Sequence, residues 1–149
     1  MKTINKFSIT MLSKSSNESF ARASVSAFAT QLDPTLEEIS DIKTAVSEAV
    51  TNCIVHAYKE TIGKIYITAE ITDTSVLKVR IKDKGCGIED IELAMQPLYS
   101  SVGGERAGLG FAVMQSFTDN LRVTSKPGKG TTVSFQKRIL PRLTVNGKD

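Results

Sequence analysis

The segment from Leu36 to Ala57 constrains this chain more than any other. Leu36, Ile39, Ile42, Val46, Ala49, Cys53 and Ala57 recur at intervals of three or four, the period that lays apolar side chains along one side of an α-helix. Asp33-Pro34, just ahead, supplies a start: Asp33 can cap the helix, and Pro34 can occupy the first turn, where a missing N–H costs nothing. A helix with one apolar stripe must bury it against another layer. The next two runs, KIYITAEI and VLKVRIKD joined by TDTS, alternate as strands do when one face meets a core, and they predict an antiparallel hairpin.

The remaining elements fit around that pair. Residues 4–11 (INKFSITM) read as a first strand, and Ser15 with Glu18 has the spacing of a capping box opening a helix to about residue 31. LGFAVMQSFTD has helical periodicity, and LRVTS and TTVSFQKR read as closing strands around the turn KPGKG. Helices early and late around paired strands predict an α+β fold, a two-layer sandwich with helices on one face of the sheet. The chain has 149 residues, 40% of them hydrophobic, enough for one core, so residues 1–138 are expected to form a single domain and 139–149 a C-terminal tail. Nineteen Lys and Arg against 16 Asp and Glu give a net charge of +3, too small and too evenly spread to call for direct nucleic-acid binding. Cys53 and Cys86 lack both metal-ligand spacing and disulfide density, and the chain offers no run of 18 apolar residues, so the expectation is a cytoplasmic protein with no membrane partner.

Chemistry enters with polar residues placed against this pattern. Glu48, Asn52 and His56 stand four apart on the long helix, forming a stripe beside the apolar seam. Such a stripe alone is compatible with plain packing. Asp83-Lys84-Gly85-Cys86-Gly87-Ile88 follows a strand directly; its glycines permit close backbone approach to a ligand, though Asp and Gly also make ordinary turns. Gly103-Gly104 and Gly108-Leu109-Gly110-Phe111 bracket Glu105 and Arg106 and lead into a helix, where backbone amides favour anionic oxygens. Gly130-Thr131-Thr132 opens the last strand.

In this order, on these elements, the four motifs resemble the ATPase and kinase superfamily that includes gyrase, the Hsp90 chaperones, histidine kinases and mismatch-repair proteins of the MutL kind. The resemblance spans most of residues 5–137. Within it, NESFARASVSAFATQLDPTLEEISDIKTAVSEAVTNCIVHAY and the short loop SSVGGERAGLGF are similar to the small serine kinases that act as anti-sigma factors in sporulation; the stress-response branch carries look-alike motifs. The resemblance implies a Bergerat-type sandwich with a mixed, mostly antiparallel sheet, ATP or ADP as ligand, and Mg2+. It assigns Asn52 to magnesium against the phosphates and Asp83 to the adenine amino group. Gly85 and Gly87 would run beside the base, Gly108 and Gly110 would face amides to the phosphates, and Thr131 would lie near the adenine. Glu48 would be the base for an incoming serine hydroxyl, and Arg106 the cation at the transferring phosphoryl group. It further implies a homodimer that binds a sigma factor of the sigma F type and phosphorylates an anti-anti-sigma factor, with Glu18 and Arg22 at the partner-binding positions. A purely regulatory ATP-binding module is the alternative.

Other features carry less. His56 is the sole histidine, so no second imidazole completes a metal site. Cys86 reads as an inert small side chain. KPGKG lacks the full P-loop spacing and reads as a turn.

Overall fold

The computed structural model describes residues 1–95 and 106–140, the side chains of 106–109 excepted. In chain order the elements are β1 (Thr3–Leu12), α1 (Asn17–Ala29), α2 (Leu36–Asn52), β2 (Lys64–Thr72), β3 (Val76–Asp83), the short α3 (Ile91–Ala94), α4 (Arg106–Phe117), β4 (Asp119–Lys126) and β5 (Gly130–Arg138). The sheet has five strands in the order β1-β2-β3-β5-β4. All four pairings are antiparallel, so the mixed sheet expected from the resemblance is wholly antiparallel among the described residues.

Alternation decides which face of the sheet is dry. Ile65, Ile67, Ala69 and Ile71 of β2, with Leu77, Val79 and Ile81 of β3 and Val133 and Phe135 of β5, are buried. They form one cluster with Ala21, Val25 and Ala29 of α1, Ile42, Val46 and Val50 of α2, and Met114 of α4. Intervening residues such as Thr68, Lys78, Arg80, Arg122 and Ser134 share the opposite, polar face, which no helix among the described residues lines. The expected two-layer sandwich is therefore present, with α2 packed between α1 and α4.

Helix starts differ from the sequence expectations, for identifiable reasons. Ser16, not Ser15, precedes α1, and no side-chain cap forms. Glu18 turns instead to a tertiary partner, accepting from the Ser47 hydroxyl of α2 at 2.7 Å, and pairs with Arg22 of its own helix at 3.2 Å. At α2 the cap is Thr35 rather than Asp33. Asp33 takes the left-handed conformation (φ 53°) after the 3-10 turn Thr30–Leu32, which turns the chain and leaves Pro34 outside the helix. Thr35 Oγ1 then accepts from the Glu38 amide at 3.1 Å, and Glu38 Oε1 accepts from the Thr35 amide at 2.8 Å, a complete capping box. The first turn lies outside the core, and Leu36, placed on the apolar stripe by spacing, is 89% exposed.

The far ends differ too. The long helix does not run regularly to Ala57: its last turn widens into a π-helix over Cys53–Ala57. Asp119, read as the end of a helix, opens β4. Ile139 is buried, and its amide donates to the Ser75 carbonyl at 2.9 Å. The Leu140 amide donates to Glu38 Oε2 at 3.0 Å, so packing continues past the expected boundary at residue 138. Burial works to raise the Glu38 carboxyl, but the Thr35 and Leu140 amides, the Thr35 hydroxyl and nearby Lys137 outweigh it and hold the group below its usual range.

Thr35→Ala is expected to lower stability by about 1 kcal/mol in urea denaturation, and Thr35→Ser to restore it. A carboxyl depressed on folding stabilises above its unfolded pKa, and the contribution is lost as pH falls through the folded value. Glu38→Gln should therefore flatten the acid side of the stability curve.

Candidate functional site

The C-terminal end of α2, the end of β3 and the start of β5 meet around a cavity of about 350 Å³. Asn52, Cys53, His56, Asp83, Gly87, Phe111 and Thr131 are among its lining residues, so motifs dispersed along the sequence share one space. Antiparallel pairing of β3 with β5, with Lys82 opposite Thr132, brings the last residue of one strand beside the first residues of the other.

Asp83 is 4% exposed. Its Oδ1 accepts from the Gly85 amide at 2.9 Å and the Thr131 amide at 3.2 Å, and its Oδ2 accepts from the Cys53 thiol at 3.5 Å. Burial pushes its pKa above the ordinary carboxylate range against the pull of those donors. Burial, followed by the Asp83 charge and the S–H bond to it, holds the Cys53 thiol well above its usual value, so Cys53 is a protonated donor at neutral pH.

The π-helical turn also shapes the loop after β3. The Ala57 carbonyl accepts from the Cys86 amide at 3.0 Å, and the His56 carbonyl from the Cys86 thiol at 3.2 Å. A Cβ on Gly85 would run into the Ala57 carbonyl, and Gly87, at φ +75°, would meet the Lys126 carbonyl. Both glycines, expected to make room for a base, here make room for protein backbone. Lys126-Pro127-Gly128-Lys129 is a tight turn, closed by the Lys129 amide on the Lys126 carbonyl at 3.0 Å, with Pro and a positive-φ Gly at the positions a type II turn favours.

On α2, Glu48 stands one turn from Asn52, about 6 Å along the axis, and outside the cavity lining. Both side-chain polar atoms of Asn52 are shielded from solvent and have no hydrogen-bond partner among the described residues, an arrangement that proteins seldom leave without a ligand or water to complete it. Gly110, which the resemblance turns toward the phosphates, lies inside α4. A Cβ there would come 3.1 Å from Glu48 Oε2 and 3.4 Å from Asn52 Nδ2, so its bare α-carbon lets α4 pass close to both polar groups. Gly108 and Arg106 belong to the first turn of α4; the Arg106 side chain lies outside the described residues, as do Gly103, Gly104 and Glu105. Glu18 and Arg22 are on α1, and Arg22 also donates to the Ser47 hydroxyl at 3.3 Å. They stand apart from the cavity lining.

Two contacts are not legible in the sequence. Spacing places Cys53 on the apolar seam next to Asn52 but does not show its bond to Asp83. Ser125 accepts from the Ile88 amide at 2.8 Å, donates to the Gly130 carbonyl at 2.9 Å and lies 2.8 Å from the Thr131 hydroxyl. Only the β4–β5 register, Ser125 opposite Thr131, could have pointed to it.

Gly87→Ala is expected to lower stability by more than about 2 kcal/mol, since it adds backbone strain to a clash with main chain. Gly128→Ala, with a similar φ but open space around it, should cost about 1 kcal/mol. Urea denaturation of the two variants makes the comparison.

Comparison with known proteins gives a consistent result. A family model described as the histidine kinase-like ATPase domain matches residues 13–137. The anti-sigma F factor of Caldanaerobacter subterraneus subsp. tengcongensis is 60% identical over 91% of this chain and 94% of its own length. The anti-sigma F factor of Clostridium acetobutylicum is 53% identical, over 91% of this chain and 94% of its own. Among solved structures, the RsbU and RsbW domains of a Mycobacterium tuberculosis protein superpose with a TM-score of 0.67 at 20% identity, covering 91% of this chain and 32% of theirs, a likeness of fold.

Proposed function

The chain belongs to the histidine kinase-like ATPase family and, within it, to the anti-sigma F factors; on that premise we propose that it is an ATP-dependent serine kinase that also holds a sigma factor of the sigma F type. Its phosphorylation substrate would be an anti-anti-sigma factor, and it would act as a homodimer in the cytoplasm. The observation that carries the nucleotide part is the pairing, on one cavity, of a buried carboxylate with remaining acceptor capacity and an amide with no partner among the described residues.

Each residue has a defined task in this reading. Asp83 accepts the amino hydrogen of adenine, and Thr131, through its amide, keeps that carboxylate in place. Gly85 contributes a second amide to the same oxygen, and Gly87 sets the loop that bounds the base. Asn52, one turn from Glu48, meets the phosphate end, where its amide oxygen would hold Mg2+. Among the described residues no group of three His, Cys, Asp or Glu could bind a metal, so most of the ion's ligands would come from phosphates and water. Bound there, the ion would neutralise charge on the phosphate oxygens.

Glu48 takes the proton of the serine hydroxyl as that oxygen forms its bond to the γ-phosphorus and the bond from phosphorus to the ADP oxygen breaks. Gly110 in α4 keeps space beside Glu48 and Asn52. Gly108 would turn an amide to the phosphates and Arg106 would supply a cation to the transferring group. Glu18 and Arg22, fastened to α2 through Ser47, would contact the protein partners.

The test is transfer of label from γ-labelled ATP with magnesium to a purified anti-anti-sigma factor. Wild type should label a serine; Glu48→Gln should lose transfer by about 10²–10⁴-fold while retaining ATP. Asn52→Ala should lose the magnesium-dependent part of ATP affinity in calorimetry. ATP binding without transfer to the partner would leave a regulatory binding module, and failure to bind ATP would remove the nucleotide reading altogether.

A further inference from the structure

A carboxylate offers about four lone-pair positions on its two oxygens. At Asp83 the Gly85 and Thr131 amides occupy the two on Oδ1. The Cys53 thiol occupies one on Oδ2, and one acceptor position remains, on the oxygen that Cys53 holds. The thiol is itself buried, lines the same cavity as Asp83, and comes from a different element, the π-helical turn after α2.

We propose that Cys53 is a positioning residue for adenine recognition: its thiol, donating to Oδ2 of Asp83, fixes the carboxylate plane so that the remaining lone pair meets the amino group of the base. This rests on Asp83 being the adenine acceptor. The two amides share one oxygen and so leave rotation about it weakly restrained; the thiol pins the other. Cys53 also joins the base end of the cavity to the phosphate end, because Asn52 precedes it on the same turn.

Binding of ADP and of inosine diphosphate, measured by calorimetry, separates this role from packing. The two ligands share sugar and phosphates, but inosine carries a carbonyl where adenine carries the amino donor, so it has no amino hydrogen to give to the positioned carboxylate. Cys53→Ser keeps a donor. Cys53→Ala and Cys53→Val remove it, one with less volume and the other with apolar filling. Wild type and Cys53→Ser should prefer ADP equally, whereas Cys53→Ala and Cys53→Val should both lose about three- to tenfold of ADP affinity with inosine diphosphate unchanged. In the transfer assay the KM for ATP should rise by the same factor at constant kcat, since Glu48 is untouched. Unchanged preference in Cys53→Ala and Cys53→Val, or loss in Cys53→Ser equal to that in Cys53→Ala, overturns the proposal while leaving the nucleotide reading intact. A wild-type protein that binds neither nucleotide overturns both.

Discussion

The buried carboxylate of Asp83 is the knot on which the site depends. A carboxylate removed from water needs donors to replace its hydration, and here they come from three places: the Gly85 amide of the following loop, the Thr131 amide of β5 and the Cys53 thiol beyond α2. The same bonds that satisfy the charge hold sheet, helix end and loop in one geometry. Burial nonetheless leaves the carboxyl easier to protonate than an ordinary one, as expected of a group whose environment is not wholly compensating.

Close backbone approach is the second constraint. The loop after β3 can dock on the helix end and on the β4–β5 turn only because Gly85 and Gly87 have no Cβ to meet the Ala57 and Lys126 carbonyls. The helix end can receive it only because its last turn opens into a π-helix whose Ala57 carbonyl reaches the Cys86 amide. π-Turns occur often at functional sites because they redirect side chains and free backbone acceptors. Gly110 likewise lets α4 pass beside Glu48 and Asn52 of α2. Glycines that look like ligand-approach residues thus bring protein elements together first, and the cavity is what their packing leaves.

The α1 side of the long helix is organised by a smaller network. Glu18, Arg22 and Ser47 tie α1 to α2 one residue before Glu48. Because Ser47 and Glu48 are neighbours on one rigid helix, the α1 surface and the proposed base share a mechanical support. The capping box at Thr35, with Glu38 also taking the Leu140 amide, secures the opposite end of that helix.

The sequence by itself determined the elements whose signals are local: the apolar stripe of α2, the alternation of β2 and β3, and the turn between β4 and β5. It also held the motifs around Glu48, Asn52, Asp83 and Thr131, whose order and spacing sufficed to indicate a nucleotide-binding family. Tertiary structure decided what depends on partners far along the chain. Glu18 pairs across to Ser47 instead of capping its own helix because a neighbouring hydroxyl competes for its carboxylate. Thr35 caps α2 because Asp33 is used to turn the chain. Leu36 is left outside the core because α2 begins before its neighbours cover it. The bond from Cys53 to Asp83 joins residues 30 apart, and helical periodicity records that Cys53 faces inward but not what it touches there. Periodicity reports direction relative to one element; the identity of a contact is set only when elements pack.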